Sequence, residues 1–110
     1  MKKEIHSPHY PSNYGKNLDC TWTLTSSFGK RIILKNVDIE QIEECGKERC
    51  TCDYLEIFKD PNSAKKSVPQ KLCGTKKIPK LLSVKNVLKL HFHSDANSMM
   101  KGFKLTYDVL

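Results

Sequence analysis

The sequence predicts an all-β fold, a sandwich or barrel of short strands. Three observations carry that expectation. Apolar residues alternate with polar ones in five short runs. Glycine and proline break the chain between those runs, at Pro8, Pro11, Gly15, Gly29, Gly46, Pro61, Pro69, Gly74, Pro79 and Gly102. Helical periodicity is hard to find, and period-two alternation over short runs is the signature of a strand. Several such runs with frequent turns suggest a β-sandwich or barrel.

Taken in order, the first run is Thr21-Trp22-Thr23-Leu24-Thr25, with Trp22 and Leu24 on one face. Trp22 is expected in the core. Next, Arg31-Ile32-Ile33-Leu34-Lys35 sets Ile32 beside Leu34, and Asp53-Tyr54-Leu55-Glu56-Ile57 sets Leu55 beside Ile57. The fourth run puts Leu88, Leu90 and Phe92 on one face and Lys89, His91 and His93 on the other. Phe103-Lys104-Leu105-Thr106-Tyr107 closes the series. The nearest thing to a helix, Asp38 to Glu44, is short and runs into Cys45-Gly46, so it reads as a strand end plus loop.

The bulk numbers bound the function. A length of 110 residues suits one domain, expected to fill residues 1–110. No apolar run is long enough to span a membrane, and Met1-Lys2-Lys3 leads into Glu4 without the apolar stretch of a signal peptide. The expectation is a segment excised from a larger protein. The net charge of +7 comes almost wholly from lysine, the arginines being Arg31 and Arg49. Nucleic-acid readout favours arginine clusters and aromatic platforms, so a nucleic-acid partner is not expected. Lys65, Lys66, Lys71, Lys76, Lys77 and Lys80 read as a solvated face. The sharper alternative is a polyanion contact, such as a sulfated glycan.

Five cysteines, Cys20, Cys45, Cys50, Cys52 and Cys73, are many for this length. Cys50-Thr51-Cys52 is poor spacing for zinc, so disulfides and an oxidising, extracellular setting are expected. His91 and His93 share a strand face, but no third metal ligand is evident. Ser7, Ser94 and Ser98 lack the flanking glycines of a nucleophile elbow. With no nucleophile–base pair in view, this segment is not expected to be an enzyme. Carboxylates do gather at strand ends: Asp53 opens one run, Asp95 follows another, and glutamates crowd residues 40 to 44. Such a group repels itself unless a cation sits within it, and calcium is the hard, oxygen-seeking cation outside cells.

Six motifs in order resemble one family. Ser7-Pro8-His9-Tyr10-Pro11-Ser12-Asn13-Tyr14 looks like S-P-x-Y-P-x-x-Y, and Cys20-Thr21-Trp22 like C-x-W. Cys50 to Ile57 is similar to C-x-x-D-x-L-x-I, and Leu72-Cys73-Gly74 to F/L-C-G. Asn86 to Asp95 resembles N-x-L-x-I-x-F-x-S-D, and Gly102-Phe103 with Tyr107 the closing G-F-x-x-x-Y. The family is the CUB domain, and the resemblance implies a two-layer antiparallel β-sandwich of jelly-roll type.

The resemblance implies more. Cys50 and Cys73 match the family's third and fourth cysteines, which pair. Cys20 matches the second, whose partner would lie upstream, where this sequence has none. Cys45 and Cys52 depart from the pattern; a Cys45–Cys52 bridge is one hypothesis and Cys20–Cys45 its rival. Many members bind one calcium ion at one end of the sandwich. By likeness, the ligands are a glutamate, Asp53 and Asp95, with Asn97 and Ser98 where the remaining oxygens come from and Tyr14 as the brace. Glu43 ranks first for the glutamate, then Glu40, then Glu44. Tyr14, Asp53 and Asp95 would then face an extracellular protein ligand, accepting its Lys or Arg. Family members occur in complement and developmental proteases, growth factors and receptors, so a parent enzyme would carry its active site elsewhere.

Overall fold

The computed structural model describes residues 3–10, 12–42, 50–60, 70–95 and 100–109. Among the described residues, eight strands run in the order β1 (Lys3–His6), β2 (Asp19–Thr25), β3 (Ile32–Ile42), β4 (Tyr54–Phe58), β5 (Gln70–Leu72), β6 (Gly74–Leu82), β7 (Val87–His93) and β8 (Gly102–Val109). They form two four-stranded sheets, β1-β8-β3-β6 and β2-β7-β4-β5, and every pairing is antiparallel. The expected all-β, two-layer architecture is therefore the observed one.

Alternation places the core. From one sheet, Ile32, Leu34, Val37, Ile39, Phe103 and Leu105 turn inward; from the other, Leu55, Ile57, Leu88, Leu90 and Phe92 meet them. Burying each such side chain contributes about 1.5–3 kcal/mol. Trp22 packs edge-on against Phe103, with ring centroids 5.9 Å apart, and lies against this core as expected.

Strand β3 keeps its inward face over 11 residues by way of two bulges. Asn36 has φ of +52°, and the register against β8 shifts between Lys35 and Asp38. Asparagine tolerates this left-handed conformation better than most residues. The second shift falls between Ile39 and Ile42, around Glu40.

Candidate functional site

Register brings the two aspartates together. Tyr54 of β4 lies opposite His93 of β7. Asp53 therefore precedes β4 at the end of the sheet where Asp95 follows β7. Asp53 is fully buried. Its Oδ1 accepts a hydrogen bond from the Asp95 backbone N–H at 2.8 Å, and its Oδ2 accepts one from the Tyr14 hydroxyl at 2.5 Å. Burial pushes the Asp53 carboxyl above its ordinary value; the Tyr14 and Asp95 hydrogen bonds oppose that, and the nearby Asp95 charge adds to it. The ion pairs that His91 and His93 make go to Asp19 and Glu56, and not to Asp53. A buried carboxylate is costly unless a cation or further donors complete its surroundings.

Tyr14 is itself fully buried, its ring edge-on to Phe92 at 4.9 Å. Its backbone N–H donates to the Met100 carbonyl at 3.0 Å, and the Asn17 N–H donates to the Asp95 carbonyl at 2.9 Å. Ser94 Oγ accepts from the Leu18 N–H at 2.9 Å and donates to the Gly15 carbonyl at 2.8 Å. These bonds sew the segment before β2 to the segments flanking β7 and β8. Ser7 and Ser94 thus act as latches, a role that the lack of a nucleophile elbow around them does not reveal. Ser7 Oγ accepts from the Phe103 N–H at 3.1 Å. Gly102, at φ of +89°, leaves room for it: a Cβ there would stand 1.9 Å from Ser7 Oγ and 3.3 Å from Tyr14 Cδ2. The sequence signal was present, since both serines sit inside the quoted motifs, but a motif does not say which way a hydroxyl points.

Of the expected calcium set, Tyr14, Asp53 and Asp95 come together. Glu43, Glu44, Asn97 and Ser98 lie outside the described residues. Glu40 is described, and its Oε1 accepts from the Tyr10 hydroxyl at 2.7 Å. That bond holds the Tyr10 phenol protonated, its pKa pushed up to about 12. Among the described residues, no group of three or more His, Cys, Asp or Glu side chains stands ready-made for a metal. What is described still suits a hard cation: the functional atoms are all oxygens, and one carboxylate is already dehydrated.

The cysteines divide clearly. Cys50 and Cys73 are joined, with Cα atoms 5.7 Å apart. Cys52 is also disulfide-bonded, while its hypothesised partner Cys45 lies outside the described residues. Cys20 is a free thiol on β2, which overturns the rival Cys20–Cys45 pairing. The described lysines do not share one face. Lys71 lies on β5 with its ammonium 4.3 Å from the Tyr54 ring centre. Lys76, Lys77 and Lys80 lie on β6 in the other sheet, and Lys77 stands opposite Asp38. His91 and His93 both contact Asp19 Oδ1, at 3.1 and 2.9 Å, and His91 Nδ1 contacts Glu56 at 3.0 Å. No helix of the described residues is long and apolar enough to cross a membrane.

Comparison with known proteins agrees with this geometry. The family model for the CUB domain matches residues 1–107. Tolloid-like protein 1 of Mus musculus is 35% identical over 105 residues, covering 94% of this chain and 10% of that protein. The full extracellular region of zebrafish Gpr126/Adgrg6 superposes with a TM-score of 0.83 at 26% identity, covering 99% of this chain and 14% of that one. The MASP-1 CUB2 domain bound to Ca2+ superposes with a TM-score of 0.77 at 27% identity, covering 96% of this chain and 90% of that one. The chain thus spans a small part of the larger relatives. A two-sheet sandwich with a Cys50–Cys73 bridge and a family match over nearly its whole length, this chain belongs to the CUB domain family of extracellular modules.

Proposed function

We propose that residues 1–110 form one module of a longer secreted or cell-surface protein, and that this module binds a protein ligand in a calcium-dependent way. The carrying observation is the buried Asp53 carboxylate, clamped by the Tyr14 hydroxyl and the Asp95 backbone. The solved Ca2+-bound MASP-1 CUB2 domain, 27% identical, supports extending that ligand class to this chain. Asp53 and Asp95 would hold the ion with a glutamate from residues 40–44, Glu43 foremost, and oxygens of Asn97 and Ser98. When bound, calcium supplies positive charge that lets neighbouring carboxylates ionise side by side.

The chain's own residues supply the rest. Tyr14 and the Asp95 N–H fix the orientation of Asp53, so its carboxylate cannot swing toward water. The bonds from Asn17, Tyr14 and Ser94 hold the neighbouring loops in one arrangement. Carboxylate lone pairs left over at the surface of such a site would accept a Lys or Arg of an extracellular protein in charge-assisted hydrogen bonds. The module contributes binding, and any active site would belong to another part of the parent protein.

Calorimetric titration with calcium tests the reading. Heat is expected with a dissociation constant of about 10⁻⁴–10⁻³ M, the range of extracellular modules. Asp95→Ala should weaken it about tenfold or more, as loss of a charged ligand does. Absence of heat from the wild-type chain at millimolar calcium would reject the proposal.

A further inference from the structure

We propose that the pole opposite the carboxylates docks onto an anionic phospholipid surface. Among the described residues, the exposed large hydrophobic side chains are Phe28, Val84 and Val109. Phe28 is 96% exposed. Scattered singly they would mean nothing, but they share one end of the sandwich. Phe28 lies between β2 and β3, and Val84 between β6 and β7. Val109 pairs with Ile32 at the start of β3. Asp53 and Asp95 sit at the other ends of their strands, so the two poles are separate.

The display of Phe28 is built in. The Lys30 N–H closes its turn on the Ser27 carbonyl at 3.0 Å, and Gly29 takes φ of +86°. Ser26 and Asn86 bond each other in both directions: the Ser26 N–H donates to the Asn86 carbonyl at 2.9 Å, and Asn86 Nδ2 donates to the Ser26 carbonyl at 3.0 Å. Arg31 Nε donates to the Ser83 carbonyl at 2.7 Å, and Ser83 Oγ accepts from the Ile32 N–H at 2.8 Å. Two loops are thus latched together, with a cleft of about 370 Å³ between Phe28 and Val84. Phe28 is held out by this frame and does not fold back over the cleft.

Charge selects the occupant. Lys30, Arg31 and Lys85 are exposed around the cleft, and the Lys59 carbonyl accepts from the Val84 N–H at 3.0 Å, which brings Lys59 to its border. Half-buried Asp60 and Asp108 are the described carboxylates nearby. A second copy of the chain would set this cationic rim against itself. A bilayer rich in acidic headgroups offers negative charge at the rim and an apolar layer beneath it for Phe28.

Co-sedimentation of the purified chain with vesicles tests this. Vesicles of phosphatidylcholine with about 30 mol% phosphatidylserine should bind it, and phosphatidylcholine alone should not. Phe28→Ser should lower binding about fivefold or more without changing the fold, because the side chain touches almost nothing. Lys30→Glu with Lys85→Glu should lower it more than about twentyfold, at roughly fivefold per cation. Lys76→Glu with Lys77→Glu, toward the start of β6 and opposite Ile39 and Asp38, away from this pole, should change it less than about threefold. Three results would overturn the proposal. One is no binding to acidic vesicles. Another is binding indifferent to Phe28 yet equally reduced by both lysine pairs, which marks general basicity. The last is concentration-dependent self-association, without vesicles, that Phe28→Ser abolishes.

Discussion

At the residue scale the site turns on Tyr14. Its ring is core and its hydroxyl is the donor to a buried carboxylate, so one side chain joins packing to electrostatics. Tyr14→Phe keeps the ring and removes the donor. Leaving a buried charged acceptor short of a partner costs about 1–3 kcal/mol, and a lower denaturation midpoint with an unchanged denaturant slope would show it. Gly102 is the complementary case. Its backbone sits at φ of +89° against Ser7, where no side chain fits. Gly102→Ala combines positive-φ strain with overlap and should cost about 2–4 kcal/mol. Because the new methyl also presses on Tyr14, calcium affinity should fall along with stability. An alanine variant as stable as wild type would show that Ser7 and its neighbours yield freely.

At the scale of elements, the strands with a neighbour on both sides were legible in the sequence, and of the four edge strands only β2 was, through the alternation of Trp22 and Leu24. The five alternating runs became β2, β3, β4, β7 and β8. The strands without an advance signal are β1, β5 and β6, and each is the edge of a sheet. An edge strand has a neighbour on one side only, so its pattern is weakly constrained. β1 buries only Ile5, β5 has three residues, and β6 carries Pro79, which the edge tolerates. The same logic governs the site. Asp53 and Asp95 were legible because each abuts a regular strand, whereas the choice among Glu40, Glu43 and Glu44 depended on counting through a bulge that alternation does not reveal. The outer face of β2-β7-β4 carries a prediction of its own. His93 and then His91 hydrogen-bond to Asp19 and hold its carboxyl below its ordinary value. A depressed carboxyl pKa contributes stability above the unfolded-state pKa, and that contribution is lost as pH falls through the folded value. Wild type should therefore lose more of its melting temperature than Asp19→Asn between about pH 5 and pH 2. Parallel acid limbs for the two proteins would show that the contact is only geometric.

Across the whole molecule, the disulfide and the hydrogen bonds to Asp53 meet at the carboxylate pole. The Cys50–Cys73 bridge encloses β4 and β5 and emerges three residues before Asp53. Closing a loop of 23 residues contributes about 3 kcal/mol in the chain-entropy account. The bridge therefore offsets part of the cost of holding a dehydrated carboxylate beside a second acid. Asp53→Asn separates the cation-site reading from a purely structural one. The amide keeps an oxygen for the Asp95 N–H and can donate toward Tyr14, while the buried charge is gone. If Asp53 only shapes a turn, the substitution should destabilise the chain equally with and without calcium. If Asp53 awaits a cation, the calcium-free variant should match or exceed the calcium-free wild type. At about 2 mM calcium and a dissociation constant near 10⁻⁴ M, the wild type should gain about 2 kcal/mol. That corresponds to roughly 8 °C in Tm for a chain of this size. The variant should gain almost nothing, so the order of the two melting temperatures should reverse on adding calcium. Two curves that keep their order at every calcium concentration would assign Asp53 to the fold alone.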